Sequence, residues 1–179
     1  MTSRRSRSAS CGCSTAVTRC WPTPARPACH ETVADAVADE TCRGWLETWW
    51  DEGSAHLTLP AEDLARYREA LLERFANPRM RHLLAQIAAD GSQKLPIRIL
   101  PVLRAERSAG RMPDAAVRVL AAWIGHLRGS GAPVVDPRAD ELVALAAGPL
   151  PQAARRILQE LDPALAADDD LVARVRDPA

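Results

Sequence analysis

The sequence predicts an all-α fold. Apolar residues recur at three- and four-residue spacing over long stretches, and those stretches begin and end at residues typical of helix termini. Strict alternation of polar and apolar residues, the pattern of a half-buried strand, is confined to a few residues near 133–135. The chain has 179 residues, of which 47% are hydrophobic and 26% are charged. It can therefore bury one core, but it cannot hold two full domains.

The first helices of the body are marked by aromatic and leucine residues. Residues 41–57 contain Trp45, Trp49 and Trp50, and Trp45 and Trp49 can share one helix face because they are four residues apart. These tryptophans are expected to pack in a core or an interface rather than to stack against a ligand. An amphipathic helix is predicted over 61–76. Its apolar stripe consists of Leu64, Tyr67, Leu71, Leu72 and Phe75.

Proline and glycine residues bound the remaining predicted helices. Asn77 and Pro78 predict the start of a helix over 80–89, which stops at Asp90 and Gly91. The other predicted elements are a polar turn over 92–94 before Pro96 starts a helix, a helix from Pro113 to a stop at Gly129, and short helices over 138–147, 151–161 and 169–176.

Charge is distributed unevenly along the chain. Residues 1–29 carry five arginines and no acid, whereas residues 30–179 carry 18 basic and 23 acidic side chains. An acidic body is a poor nucleic-acid binder, because such binding requires a basic face that neutralises phosphates. Apolar stretches are too short for a membrane helix, and no signal-peptide pattern follows the first arginines. The sequence predicts a cytoplasmic protein without a nucleic-acid or membrane partner.

The cysteine-rich start of the chain invites a zinc interpretation or a transit-peptide interpretation. Thiolate and imidazole groups suit Zn²⁺, but the spacing lacks the paired cysteines typical of structural zinc sites. The residues concerned are Cys11, Cys13, Cys20, Cys29 and His30. No metal site is expected. The remaining histidines, His56, His82 and His126, have no supporting motif and are interpreted as surface or packing residues.

Three segments resemble a known family. RFANP at 74–78, QIAADGSQKLPIR at 86–98 and AAWIGHLRG at 121–129 are similar to the C-terminal domain of the long-chain polyol dehydrogenases, the group of mannitol 2-dehydrogenase and fructuronate reductase. The resemblance begins at His30 and covers about residues 30–176. It implies a mostly helical substrate domain, partial here over 30–179, that is normally attached covalently to a dinucleotide-binding domain. It also implies an NAD(P) cofactor for the intact enzyme and no zinc.

The family's catalytic helix, with the pattern K-x-x-x-x-N-x-x-H, would precede His30. When Ala9 to Ala25 are written in GC-rich codons and translated from the third base of each codon, the shifted frame can read K-L-R-L-L-N-G-G-H-S-V-L-A-Y-A-G. We therefore expect residues 1–29 to be a disordered, out-of-frame leader of a truncated gene. On this interpretation the chain carries no catalytic, cofactor-binding or metal-binding residue, takes no cofactor alone and is inactive alone.

The resemblance implies two substrate-binding residues, Lys94 and Gln86. Lys94 would reach the hydroxyls or the carboxylate of a sugar alcohol or hexonate, while the position of Gln86 is arginine in mannitol dehydrogenases and glutamine on the fructuronate reductase side. This pair favours a hexonate. The residues alone also allow a capped connection with a solvated lysine, since charged residues in turns are mostly exposed. The alternative from another class is a small all-α interaction module without catalysis.

Overall fold

The computed structural model of the protein describes residues 30–176, so the disorder predicted for 1–29 concerns residues outside this range. Within 30–176 the secondary structure consists of helices, and one isolated antiparallel bridge joins Thr32 to Leu83. The all-α prediction is confirmed. None of the helices between His30 and Arg176 is long and apolar enough to cross a bilayer.

The described residues form eleven helices. In chain order they are α1 (Val33–Ala38), α2 (Glu40–Ser54), α3 (Ala61–Ala76), α4 (Leu84–Ala88), α5 (Gly91–Arg98), α6 (Leu100–Ser108), α7 (Asp114–Leu127), α8 (Ala139–Ala146), α9 (Leu150–Leu161), α10 (Pro163–Ala166) and α11 (Asp169–Arg176).

Helix α7 occupies the centre of the core. It packs against α2, α6, α8, α9 and α11, and it buries residues around most of its circumference. Such all-round burial is typical of a helix enclosed by others. On one side α1 packs on α2 and α3, and on the other α9, α10 and α11 pack on one another. Trp49 and Trp50 of α2 are buried in this core, as the sequence predicts.

Several predicted helices match the structure closely. Helix α3 has the predicted bounds, because a regular apolar stripe coincides there with a proline before the helix and Asn77 after it. Helices α7, α8, α9 and α11 also lie within a few residues of their predictions. Helices α7, α8 and α9 have a proline at or near the start, and α7 and α8 also have a glycine beyond the end.

The predicted helix over 80–89 is wrong in its first half, since α4 begins only at Leu84. The reason is tertiary: the N–H of Val33 donates to the carbonyl of His82 at 3.0 Å, and the N–H of Leu84 donates to the carbonyl of Glu31 at 3.0 Å. Pairing with the chain around residues 31–33 holds this segment extended. Asn77 ends α3 instead of starting a helix, and its side-chain oxygen accepts from the N–H of Arg79 at 3.0 Å.

The predicted polar turn over 92–94 is also wrong, because these residues form the first turn of α5, which begins at Gly91. The turn is displaced to Asp90, whose φ of 57° places it in the left-handed region. Pro96 lies inside α5 rather than at the start of the next helix. Its missing N–H leaves the carbonyl of Ser92 without a helical partner, and α5 ends two residues later.

Candidate functional site

Lys94 is folded back onto the end of α4. Its Nζ donates to the carbonyl of Ile87 at 3.2 Å and to that of Ala89 at 2.5 Å, and it lies 4.0 Å from Oδ2 of Asp90. The carbonyls at a helix C-terminus carry partial negative charge and attract a cation. The side chain is 23% exposed. Lys94 is therefore a partly buried, hydrogen-bonded cap of α4.

Gln86 lies on α4 and its side chain is exposed. It directly precedes Ile87, whose carbonyl accepts a hydrogen bond from Lys94. The fold thus brings the ammonium of Lys94 to the same end of α4 as Gln86, although eight residues separate the two in sequence. An ammonium group has three donors, and two of them are used by Ile87 and Ala89. The third donor remains for another acceptor, and the carboxylate of Asp90 offsets part of the charge from 4.0 Å.

Asp136 fixes the start of α5 from a distant loop. Its Oδ2 accepts from the N–H of Ser92 at 2.9 Å, and its Oδ1 accepts from Oγ of Ser92 at 2.7 Å. The N–H of Asp90 donates to the carbonyl of Val135 at 2.9 Å. Burial alone raises the pKa of Asp136, but hydrogen bonds from Ser92 and Arg138 outweigh it and hold the pKa below its usual value. The carboxylate form therefore anchors the segment that carries Lys94.

Gly91 lets α5 approach α7 closely. A Cβ at this position would lie 2.1 Å from Nε1 of Trp123, which is far inside contact distance. Trp123 belongs to α7 and is 8% exposed. The glycine in the DGSQKLP segment is therefore required by packing against the central helix.

A second feature is a cavity of about 210 Å³ bordered by α2, α3, α5 and α6. We call it the tryptophan cavity, after Trp49 and Trp50 in its wall. Gln86 and Lys94 do not line it. The residues that do are Trp49, Trp50, Gly53, Ser54, His56, Leu57, Leu64, Tyr67, Ile97, Pro101 and Val102, together with two arginines, Arg68 and Arg98.

One histidine at the tryptophan cavity is held by a buried carboxylate. Nε2 of His56 lies 2.5 Å from Oε1 of Glu106, whose side chain is 6% exposed. Glu106 also accepts two hydrogen bonds from Arg111, at 2.6 and 2.7 Å, and these bonds, despite burial, hold its pKa below the usual value. Sequence reasoning missed this arrangement, since Glu106 lies 50 residues after His56 and no local pattern links them.

The other histidines differ in their surroundings. His82 is exposed, whereas His126 on α7 is 7% exposed, and burial lowers its pKa. Side-chain atoms of His30, Asp39 and Cys42 lie within 4.8 Å of one another. Cys42 is disulfide-bonded, so its sulfur is not available as a thiolate ligand. The cysteines considered for zinc in the sequence, Cys11 to Cys29, lie outside the described residues.

Comparison with known proteins gives a consistent result. The family model described as mannitol dehydrogenase C-terminal domain matches residues 24–177. D-mannonate oxidoreductase of Escherichia coli (strain K12) is 36% identical over 115 residues, which are 60% of this chain and 24% of that protein. Altronate oxidoreductase of Klebsiella pneumoniae (strain 342) is 37% identical over 101 residues, which are 55% of this chain and 21% of that protein.

Solved structures show the same fold. The ternary complex of Pseudomonas fluorescens mannitol 2-dehydrogenase with NAD and D-mannitol matches with a TM-score of 0.82 at 24% identity, over 93% of this chain and 35% of that one. A substrate-free D-sorbitol dehydrogenase matches with a TM-score of 0.74 at 21% identity, over 97% of this chain and 38% of that one. This chain therefore spans about a quarter of the curated relatives and about a third of the solved structures.

Proposed function

The chain belongs to the mannitol dehydrogenase C-terminal domain family, and from this we propose that it forms the substrate-facing domain of an NAD(P)-dependent oxidoreductase. The reaction would interconvert a polyol or hexonate and its keto sugar. The sequence relatives support this proposal, since those at 36% and 37% identity are a mannonate and an altronate oxidoreductase. The nicotinamide cofactor would supply the hydride chemistry in the intact enzyme.

The observation that carries the proposal is the position of the Lys94 ammonium. Two carbonyls of the α4 end hold it, and the Ser92–Asp136 hydrogen bonds hold the helix on which it stands. A cation held in this way loses little conformational freedom when a substrate oxygen accepts a hydrogen bond from its third N–H. We assign Lys94 and Gln86 to substrate binding, with Lys94 as the charged contact and Gln86 as a neutral donor and acceptor.

A hexonate suits this pair better than a neutral polyol. The ammonium of Lys94 is a point charge that binds a carboxylate by a charge-assisted hydrogen bond. Gln86 adds no second positive charge, so the substrate carboxylate would be met by Lys94, whose charge Asp90 offsets only from 4.0 Å. We therefore propose a hexonate and ketohexuronate pair in preference to mannitol and fructose.

We propose no dinucleotide site and no catalytic residue within this chain. Dinucleotide binding of the common type uses backbone amides where a strand turns into a helix at a glycine-rich loop. Residues 30–176 contain no strand of that kind, so they do not fit the cofactor. We expect the 179-residue chain alone to neither bind NAD(H) in a calorimetric titration nor oxidise mannitol; micromolar binding of the dinucleotide would contradict this.

The proposal is tested in a chimaera in which the part of this chain that aligns with the E. coli D-mannonate oxidoreductase replaces the aligned 115 residues of that protein. We expect a higher kcat/KM for fructuronate than for fructose with NADH. Lys94→Ala should lower kcat/KM for fructuronate about 10- to 150-fold, because a hydrogen bond to a charged group contributes about 1.5–3 kcal/mol. Gln93→Ala, which changes an exposed neighbour on the same helix turn, is the control.

Two outcomes would defeat the assignment. The first is fructose as the better substrate by kcat/KM. The second is an unchanged kcat/KM for fructuronate in Lys94→Ala while the Gln93→Ala control also remains unchanged.

A further inference from the structure

We propose that the tryptophan cavity binds a small apolar carboxylate, such as an arylalkanoic or short-chain aliphatic acid. This site is separate from the sugar site and does not depend on the proposed reaction. It lies one helix turn beyond Lys94 on α5, where Ile97 and Arg98 line the cavity and Lys94 does not.

The walls of the cavity are apolar and suit an aromatic ring or an alkyl chain. Trp49 and Trp50 are 4% and 6% exposed and form one wall, while Ile97, the most exposed of the large apolar side chains described at 73%, stands at the rim. Burial of an apolar ligand against such surfaces is favourable. The volume of about 210 Å³ is small for a ligand pocket, so it admits one ring or a short chain.

Most polar groups at the cavity are already engaged. Arg68 donates to Oδ1 of Asp51 at 2.7 Å and to Oγ of Ser54 at 2.8 Å. His56 is bonded to Glu106, as described above. A sugar chain needs a partner for almost every hydroxyl, so these walls do not suit the polyol or hexonate of the neighbouring site.

Arg98 supplies the charge that selects an acid. Its side chain is half-buried and lines the cavity, and it makes no hydrogen bond or ion pair with any residue between His30 and Arg176. The other charges there are matched: Arg68 faces Asp51, and Glu106 lies between His56 and Arg111. A guanidinium presents a planar pair of donors that fits a carboxylate in a bidentate arrangement. The cavity therefore combines an apolar interior with one unmatched positive charge.

The test uses the complete 179-residue chain and two ligands of the same shape, 3-phenylpropionate and 3-phenylpropanamide. Binding is followed by calorimetry and by tryptophan fluorescence, since Trp49 and Trp50 line the site. We expect the acid to bind with a Kd below about 1 mM and the amide to bind at least about tenfold more weakly. Arg98→Gln should weaken acid binding to the level of the amide. Arg66→Gln, which removes an exposed arginine of α3 paired with Asp63, should not change it.

Three results would overturn the proposal: equal affinity for acid and amide, acid binding that Arg98→Gln leaves intact, or no saturation by the acid below about 10 mM. Circular dichroism shows whether Arg98→Gln is folded. If it is not, the comparison of acid and amide with the unaltered chain decides, and Arg98→Lys, which keeps the charge but loses the planar fork, should bind the acid with intermediate strength. None of these measurements requires cofactor or turnover, so failure here is distinguishable from failure of the proposed oxidoreductase function.

Discussion

Gly91 is the residue in which local propensity and tertiary packing oppose each other most directly. Alanine is favoured over glycine by about 1 kcal/mol in a helix interior, and the preference has the same sign but is smaller at the first residue, which Gly91 occupies. At this position, however, its Cβ would lie 2.1 Å from Nε1 of the buried Trp123. We expect Gly91→Ala to lower the free energy of unfolding by about 1–3 kcal/mol, the usual cost of overpacking. Urea denaturation followed by circular dichroism measures it.

Gly44 provides the matched control for this substitution. It lies inside α2, and a Cβ there would meet nothing within 4 Å. Gly44→Ala should therefore raise the free energy of unfolding by about 0.5–1 kcal/mol. If Gly91→Ala stabilises the protein as Gly44→Ala does, α5 and α7 are not packed as closely as described.

The sequence singles out Lys94 but does not predict its partners. Its resemblance to a family motif and its status as the sole lysine draw attention to it. The carbonyls of Ile87 and Ala89, and the support from Asp136 more than 40 residues away, depend on how α4, α5 and the 130–137 loop meet. The sequence also does not predict that Arg98 lacks a partner within residues 30–176, because this depends on which helices border the cavity.

At the scale of elements, α7 begins without a cap of its own. Pro113 occupies the N-cap position and makes no side-chain hydrogen bond. Glu52 of α2 takes this role, as its Oε1 accepts from the N–H of Ala115 at 2.7 Å and its Oε2 accepts from that of Ala116 at 3.0 Å. The carboxylate satisfies two free donors and faces the positive end of the helix dipole. It thereby joins α2 to the central helix.

We expect Glu52→Ala to lower the free energy of unfolding by about 1–2 kcal/mol, the range observed for loss of a helix cap. The experiment is urea denaturation at neutral pH. Glu47→Ala on the same helix is the control, because Glu47 is 53% exposed and its one ion pair within residues 30–176 is with Arg43. Such a surface pair contributes little, so the control should change the value by less than about 0.5 kcal/mol. Equal effects of both substitutions would show that Glu52 is not a cap.

Elements were predictable where their signals are local. Helix α3 has both an apolar stripe and clear boundary residues, and its predicted bounds are correct. Helix α4 was predicted too long because the extended pairing of 80–83 with 31–33 cannot be inferred from the composition of either segment. The cap of α7 likewise required knowledge of which helix lies over its first turn.

At the scale of the whole molecule, arginines of α6 join the central helices to the C-terminal ones. Arg104 pairs with Asp162 at the start of α10. Arg107 binds both carboxylate oxygens of Asp168, at 2.7 and 3.1 Å, and Oδ1 of Asp168 also accepts from the N–H of Leu171 in α11. Because Leu171, Val172 and Val175 are buried in the same core as α7, the C-terminal helices should unfold together with the rest.

The side chain of Asp168 tests this cooperativity, and its ionisation gives the test a pH dependence. The hydrogen bonds from Arg107 hold the pKa of Asp168 below its ordinary value, so its carboxylate stabilises the fold above the unfolded pKa of about 3.9 and loses that contribution as pH falls through the folded pKa. We expect Asp168→Asn to lower the free energy of unfolding by about 1–2 kcal/mol at pH 7, with the difference from the unaltered chain shrinking below about pH 4.

Asp169→Asn is the control, since Asp169 is 84% exposed. Tryptophan fluorescence, which among the described residues reports on α2 and α7, and circular dichroism should give coincident transitions in every variant. Separate transitions in Asp168→Asn would show instead that α9–α11 form an independent unit.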